Sequence, residues 1–283
     1  MVKHKGDVLR QDVKMKQIHA TAVVEDGAKL QDGVVIGPNC FVDSGATIGE
    51  GTVLEANVVI DKNVAIGKCN HLFPNCVIGG IPQILNLRPD AKLGGLVIGD
   101  NNVIREQVTI HPSMHHDSLT KIGSDNLIMI GSHIGHDCVI EDKTVISNFS
   151  QMSGHCKIET GVWLSGVVLL HQFVTIGRWC YAAGMAGINK DVPPFLIVSG
   201  HYPPTIRGVN KRGLIRAGLS IEQQKAIYDA YKRLYRDDKT PLLQKAKEMA
   251  EEKGLDENVR DMVDAIIRSS KHRFGRYLET LRD

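Results

Sequence analysis

The chain holds twelve histidines, and seven of them fall between His111 and His171. His133 and His136 stand in the segment Ser132-His133-Ile134-Gly135-His136-Asp137-Cys138; His155 follows 19 residues after His136, and His171 another 16 residues on. An imidazole titrates near neutrality and can take a proton from a hydroxyl, so it is the usual general base. A neighbouring carboxylate fixes its tautomer and stabilises the cation that forms. Asp137 beside His136 suits that role if the backbone turns there, because adjacent side chains on a strand diverge. Gly135 makes a turn available. Two other readings of these histidines stay open at this point. A cluster of imidazoles can hold a metal, although no HExxH or comparable spacing is present and none is expected. A lone outward histidine is most often plain surface.

A six-residue repeat must position these groups. Stepping by six from Ile18 through Val24, Leu30 and Ile36 to Ile78 lands on an aliphatic residue every time. The phase breaks at Gly79-Gly80 and resumes from Ile98 to Ile110. It breaks again from His111 to Lys121, then holds from Ile122 to Ile188, with Ala182 its one weak step. A period of six matches neither a helix nor simple alternation. It is the hexapeptide repeat of a parallel β-helix, in which three short strands make one coil and residues 18 apart stack. The aliphatic side chain fills the inside of a corner. A small residue four places later, such as Ala46, Thr52, Val58 or Val64, fits beside it. Cys40, Cys76, Cys138, Cys156 and Cys180 occupy the same slot, all the cysteines but Cys69, and read as small hydrophobes. Glycine directly after the aliphatic, as at Gly37, Gly49 and Gly67, reads as the turn between faces. The two breaks, about 80–96 and 111–121, read as loops extruded from the coil, a common place for function on a rigid solenoid. Spacing near 18 predicts that His133, His136, His155 and His171 form one patch across successive coils.

The repeat is expected to end at Asp191-Val192-Pro193-Pro194, since proline cannot serve a strand ladder. Beyond it the pattern turns helical. Ser220 and Gln223 make a capping box, followed by Ala226, Ile227, Ala230, Tyr231 and Leu234 at helical spacing. Thr240-Pro241 opens a second helix that Gly254 stops, and Leu255 to Ser270 gives a third. The expected organisation is a β-helix over 1–194, then a connector and small helical domain over 195–283. Hydrophobic residues at 42%, charged residues at 23% and aromatics at only 5% fit a soluble protein with a narrow aliphatic core. A net charge of +2 argues against a dedicated nucleic-acid binder. No apolar run reaches the roughly 18 residues of a membrane span. Met1 to Gly6 lacks the apolar core of a signal peptide, so the expected location is cytoplasmic. From residue 205 onward there are 18 Lys plus Arg against 13 Asp plus Glu, a balance of +5, which leaves −3 for the rest. A basic cap suits an acidic protein or a phosphate, the plain alternative being a solvated helical surface.

Several segments, taken in order, carry a resemblance. They are Ile104-Arg105-Glu106-Gln107-Val108-Thr109-Ile110-His111, Ile122 to Leu127, His133 to Cys138, Ser153-Gly154-His155, His171-Gln172-Phe173, Asp191 to Pro194, and Gly208-Val209-Asn210. Together they resemble the UDP-N-acetylglucosamine O-acyltransferases, the hexapeptide enzymes that begin lipid A biosynthesis, over roughly Gln17 to Arg268. The resemblance implies a left-handed β-helix, against the usual crossover hand, and a homotrimer with sites between neighbouring β-helices. It implies transfer of a 3-hydroxyacyl chain from acyl carrier protein to the 3-hydroxyl of UDP-N-acetylglucosamine. No cofactor is implied beyond the carrier's phosphopantetheine thioester. By resemblance His136 is the general base, Asp137 its orienting partner and the Gly154 N–H the oxyanion donor. Gln83, His133, His155, His171 and Gln172 would line the substrate cleft. Asn210 and Arg216 match positions near the nucleotide and phosphopantetheine. Gly184 matches the gauge of acyl length, with Met185 beside it.

The chain also departs from the pattern. In Pro82-Gln83-Ile84-Leu85-Asn86-Leu87, Ile84 replaces an acid and Asn86 a lysine, leaving Arg88 and Lys92 as candidates to restore the charge. Arg212 stands where a glutamate is expected, and only Arg216 remains of an arginine pair. The rival readings are a similar acyltransferase acting on another nucleotide sugar, such as a 3-amino analogue, a non-catalytic paralogue, and a zinc hydratase on the same kind of fold.

Overall fold

The structure, a computed structural model, describes residues 15–88, 91–236 and 239–282. The N-terminal segment Met1 to Gly6 lies outside them. Two-residue strands recur every six residues and form three parallel sheets, one strand of each sheet per coil. Ile18 pairs with Ile36, and Ile36 with Leu54, so the ladder offset is 18. Across the first loop the offset rises to 32 (Ile66 to Ile98), and across the second to 24 (Ile98 to Ile122). The insertions therefore leave the stacking of coils intact. The strands Gly95–Ile98 and Leu119–Ile122 close the two loops slightly earlier than the phase breaks suggest. The fold is the parallel β-helix with C-terminal helices that the repeat predicts, in the left-handed form that the resemblance implies.

The repeat aliphatics form columns inside the coil. Ile36, Leu54, Leu72, Ile104, Ile128, Ile146 and Leu164 stack along one sheet, each no more than 1% exposed. Burying each such side chain is worth about 1.5–3 kcal/mol. One column of the neighbouring slot is polar rather than apolar. The Asn70 N–H donates to Thr52 Oγ1 at 3.1 Å, and the Asn102 N–H to Asn70 Oδ1 at 2.9 Å. The Asn126 N–H then donates to Asn102 Oδ1 at 2.9 Å, and the Thr144 N–H to Asn126 Oδ1 at 2.7 Å. Each buried side chain thus satisfies the next coil's backbone.

The turn sits elsewhere than the glycines suggest. The left-handed backbone falls on the third residue after the aliphatic, as at Asn39, Asn57, Asn63, Asn75 and Asn101, with φ between 57° and 66°. Asparagine visits this region at less cost than other side chains. The glycine directly after the aliphatic serves the approach of neighbouring coils instead. A Cβ on Gly37 would lie 2.6 Å from the Glu55 carbonyl oxygen, and one on Gly49 2.4 Å from the Gly67 carbonyl.

The ladder also runs past Pro193-Pro194. Leu196–Ser199 joins the first sheet parallel to Tyr181–Ala182, and Thr205–Val209 returns antiparallel to it. The prolines fall between ladder strands, where their missing N–H groups are not needed. A short helix α1 (Lys211–Arg216) follows within the predicted connector, with its start capped by Asn210. Helix α2 (Ile221–Tyr235) has both bonds of the capping box and buries Ile227, Ala230, Tyr231 and Leu234. Helix α3 (Leu242–Ala250) is followed by Gly254 in left-handed backbone. Helix α4 (Glu257–Ser269) starts two residues after the expected Leu255, because the Asp256 carboxylate caps it. Arg178 ties α4 to the coil through Asp261 at 2.7 Å and Asn258 at 3.2 Å.

Replacing Asn102 with alanine orphans the Asn126 N–H. Denaturant unfolding should show a loss of about 1–3 kcal/mol for that buried group. An unchanged midpoint and slope would contradict the polar ladder's role.

Candidate active site

Coil stacking aligns two rows of side chains at one corner. His136, Gly154 and Gln172 take the second place after the inward Ile134, Met152 and Leu170. Asp137, His155 and Phe173 take the third, the left-handed turn, with φ of 60°, 62° and 65°. The turn that the His136–Asp137 pair requires is therefore present, on Asp137 rather than Gly135. It brings His136 Nδ1 to 2.8 Å from Asp137 Oδ2, with the two side chains only 12% and 7% exposed. An ionised carboxylate only accepts, so Nδ1–H donates and Nε2 keeps the lone pair that can take a proton.

The second loop fixes the carboxylate. Ser113 Oγ donates to Asp137 Oδ1, and the Met114 N–H to Oδ2 at 3.2 Å. The Asp137 N–H donates to Thr120 Oγ1 at 2.8 Å. Burial alone would raise the Asp137 carboxyl, but the bonds from His136, Ser113 and Met114 outweigh it and hold the group below its ordinary range. Gly154 packs against the His136 ring: a Cβ there would lie 2.6 Å from Nε2. Among the described residues nothing accepts from the Gly154 N–H. His155 stacks flat on Phe173 at 4.5 Å and meets the His136 ring edge-on at 5.0 Å. Burial pushes His155 down, Asp137 opposes, and the cations or imidazoles of His136, His115 and Arg282 add to the depression. The ring is thereby kept neutral at neutral pH.

These groups line a cleft of about 890 Å³. Of the sequence-predicted residues, it brings together Gln83, His136, Asp137, His155 and Gln172, with Gly154 behind the base. The single histidine patch divides, because spacings of 19 and 16 shift a residue to another row. His133 faces Thr109 Oγ1 at 2.8 Å and lies edge-on to His111 at 4.7 Å. His171 turns its Nδ1 to the Gln172 carbonyl oxygen. Asn210 caps α1 through the Gly213 N–H and donates to the Trp179 carbonyl oxygen at 2.7 Å. Arg216 lies 5.4 Å from each of the Trp163 and Trp179 rings. Gly184 meets nothing closer than the Gly166 carbonyl oxygen, 3.5 Å from where a Cβ would stand, and Met185 is exposed. Arg88 and Lys92 do not line the cleft; Lys121, Lys157 and Arg282 do.

Sequence reasoning missed Ser113, His115, Phe173 and Arg282. Stacking arithmetic finds two of them, since Phe173 lies 18 after His155 and Ser113 lies 24 before Asp137, the offset across the second loop. Arg282 has no such signal. His115, Asp137 and His155 also present ligand atoms within 4.8 Å of one another, a grouping that could hold a metal ion and that no sequence spacing announces.

Comparison with known proteins agrees with this geometry. The family described as Udp N-acetylglucosamine O-acyltransferase, Domain 2, matches residues 191–275, and bacterial transferase hexapeptide (six repeats) matches residues 119–154. The acyl-[acyl-carrier-protein]–UDP-N-acetylglucosamine O-acyltransferase of Paraburkholderia phymatum is 43% identical over 263 residues, covering 91% of this chain and 98% of that protein. The chain belongs to this O-acyltransferase family. The Synechocystis sp. member is 42% identical over 180 residues, 64% of this chain and 64% of that protein, so that match spans less than two thirds of its length. The UDP-N-acetylglucosamine acyltransferase structure from Francisella novicida superposes with a TM-score of 0.83 at 37% identity, over 92% of this chain and 93% of that one. In this O-acyltransferase chain the His136–Asp137 pair lines one cleft, and Gly154, with its unbonded N–H, packs against the His136 ring.

His111, beside the site, gives a pH signature. Burial, with His133 and His136 nearby, pushes it from 6.5 down to about 4. Between those values the unfolded chain binds a proton that the folded chain refuses, so stability falls on acidification from about pH 6.5 to about 4. The loss approaches about 3 kcal/mol, at roughly 1.4 kcal/mol per unit. The His111→Gln variant should show a flatter Tm against pH in that window; parallel curves would contradict the assignment.

Proposed function

We propose that the protein transfers a 3-hydroxyacyl chain from acyl carrier protein to the 3-hydroxyl of UDP-N-acetylglucosamine, the first step of lipid A biosynthesis, as a cytoplasmic homotrimer. The observation that carries this is the pairing of His136 Nδ1 with a fixed Asp137 in the cleft lining, with Gly154 packed against the His136 ring. Nε2 takes the proton of the sugar hydroxyl as its oxygen attacks the thioester carbonyl. Asp137 stabilises the imidazolium, and the Gly154 N–H receives the developing oxyanion. Collapse of the tetrahedral intermediate expels the thiolate, which takes its proton from the imidazolium. Gln83, His155 and Gln172 hold the acceptor.

His133, His171, Asn210 and Arg216 lie outside this chain's own cleft lining. A homotrimer supplies them to the cleft of a neighbouring β-helix, where Gly184 and Met185 gauge the acyl chain. A ridge of exposed apolar side chains, Phe149, Val167 and Met185, one per coil, supports such packing. The basic helical part suits the acidic carrier protein. No helix among the described residues is long and apolar enough to cross a membrane.

The test is a transfer assay with 3-hydroxyacyl carrier proteins of several lengths and UDP-N-acetylglucosamine, read by mass spectrometry. The wild type should form acylated sugar nucleotide, and His136→Ala should lose at least ~100-fold in kcat. Gly154→Ala should also lose turnover, because its methyl displaces the imidazole. No product at any chain length, or wild-type turnover by His136→Ala, would overturn the reading.

A further inference from the structure

The chain does not leave the cleft after α4. It turns at Gly275 and runs back over the last coil. The Asp191 N–H donates to the Gly275 carbonyl oxygen at 2.7 Å. Arg276, only 6% exposed, donates from Nη1 to the Asn189 carbonyl oxygen at 2.9 Å and from Nε to Glu279 at 2.7 Å. The Asp191 carboxylate accepts from the Tyr277 N–H at 2.9 Å and, at its other oxygen, from the Thr175 N–H at 2.8 Å. These bonds seat a 3₁₀ turn, Tyr277–Leu281, at the mouth of the cleft, where Leu278, Leu281 and Arg282 join its lining.

Arg282 continues the row of rings. Its guanidinium lies 5.9 Å from the Phe173 ring centroid, Phe173 stacks on His155, and His155 touches the His136 ring. Of the other two cleft cations, Lys157 is committed, 3.1 Å from both Glu141 and Glu159, and Lys121 has no ion pair among the described residues. Among the described residues no carboxylate pairs with Arg282. A guanidinium beside an aromatic ring in the lining of a cleft fits the paired oxygens of a phosphate.

We propose that this C-terminal turn is a wall of the substrate cleft and that Arg282 is a binding residue for a substrate phosphate, with Leu278 and Leu281 closing the mouth against water. The proposal rests on the acyl-transfer reading, in which both substrates carry phosphate: the diphosphate of the sugar nucleotide and the phosphodiester of the carrier's prosthetic arm. The shared chemistry is a phosphate monoanion or dianion within reach of one guanidinium.

The experiment compares the full-length wild type with Arg282→Ala and Arg282→Lys. KM for each substrate and kcat are measured in the transfer assay. Kd for UDP-N-acetylglucosamine, and separately for carrier protein bearing its arm, is measured by calorimetry without turnover. Arg282→Ala should raise KM and Kd for one substrate ~10–100-fold, the scale of a hydrogen bond to a charged group, with kcat nearly unchanged. Arg282→Lys should recover part of it, keeping charge but losing the fork. Which substrate weakens identifies the phosphate. Unchanged constants for both substrates would overturn the inference while leaving the acyl-transfer reading in place. Absence of transfer by the wild type would overturn that reading, and the two binding constants would still decide the role of Arg282.

Discussion

A coil must close in 18 residues, and it does so with a residue in left-handed backbone at the third place after most of the inward aliphatics. For a side chain other than glycine or asparagine this conformation is costly. The columns of buried isoleucine, leucine and valine offset that cost. The consequence for function is geometric: every such turn throws a side chain outward at the same corner, one coil above the next. At one corner the column reads Asp137, His155 and Phe173; Asp191 lies one coil on, in register with Thr175. The proposed base partner and two stacked rings are therefore successive members of one structural row. The row beside it carries His136, Gly154 and Gln172, so the imidazole and the free N–H are set by the same spacing.

The electrostatics of the corner are layered. Asp137 stays ionised because three donors outweigh its burial. His155 and His133 stay neutral chiefly because burial disfavours their cations. Positive charge is thus withheld from the rings around His136 and placed instead at the rim, on Lys121 and Arg282. A neutral interior with a basic rim is the electrostatic setting that the proposed transfer requires, an imidazolium beside one carboxylate and the substrate's anionic groups outside. The five slot cysteines take no part: each is buried, and burial raises the thiols of Cys40, Cys76, Cys156 and Cys180.

Much of this was legible in the sequence, for identifiable reasons. The period of six declared the coil because most strands are two residues long and bury one aliphatic. The capping box declared α2 because both its bonds are local. The glycines misled because close approach between coils and a left-handed turn both favour glycine; only the neighbouring coil's carbonyls tell them apart. The prolines misled because a ladder can skip residues that lie in its turns. The histidine patch was drawn with spacings near 18, yet a shift of one residue moves a side chain to another row. Arg282 was invisible because its place depends on α4 ending where the chain can fold back onto Asp191, a contact between segments 86 residues apart.

The corner's central feature is a carboxylate placed by a backbone turn. Asp137→Asn separates the two, since asparagine already fills the same turn at Asn39, Asn57 and Asn63 and accepts its conformation. The decisive measurement is kcat of Asp137→Asn in the transfer assay, alongside its Tm. A fold left standing with kcat down by ~10²–10⁴, the range of acid–base catalysis, is the expected result. Wild-type kcat in a folded Asp137→Asn protein would contradict the role given to the pair.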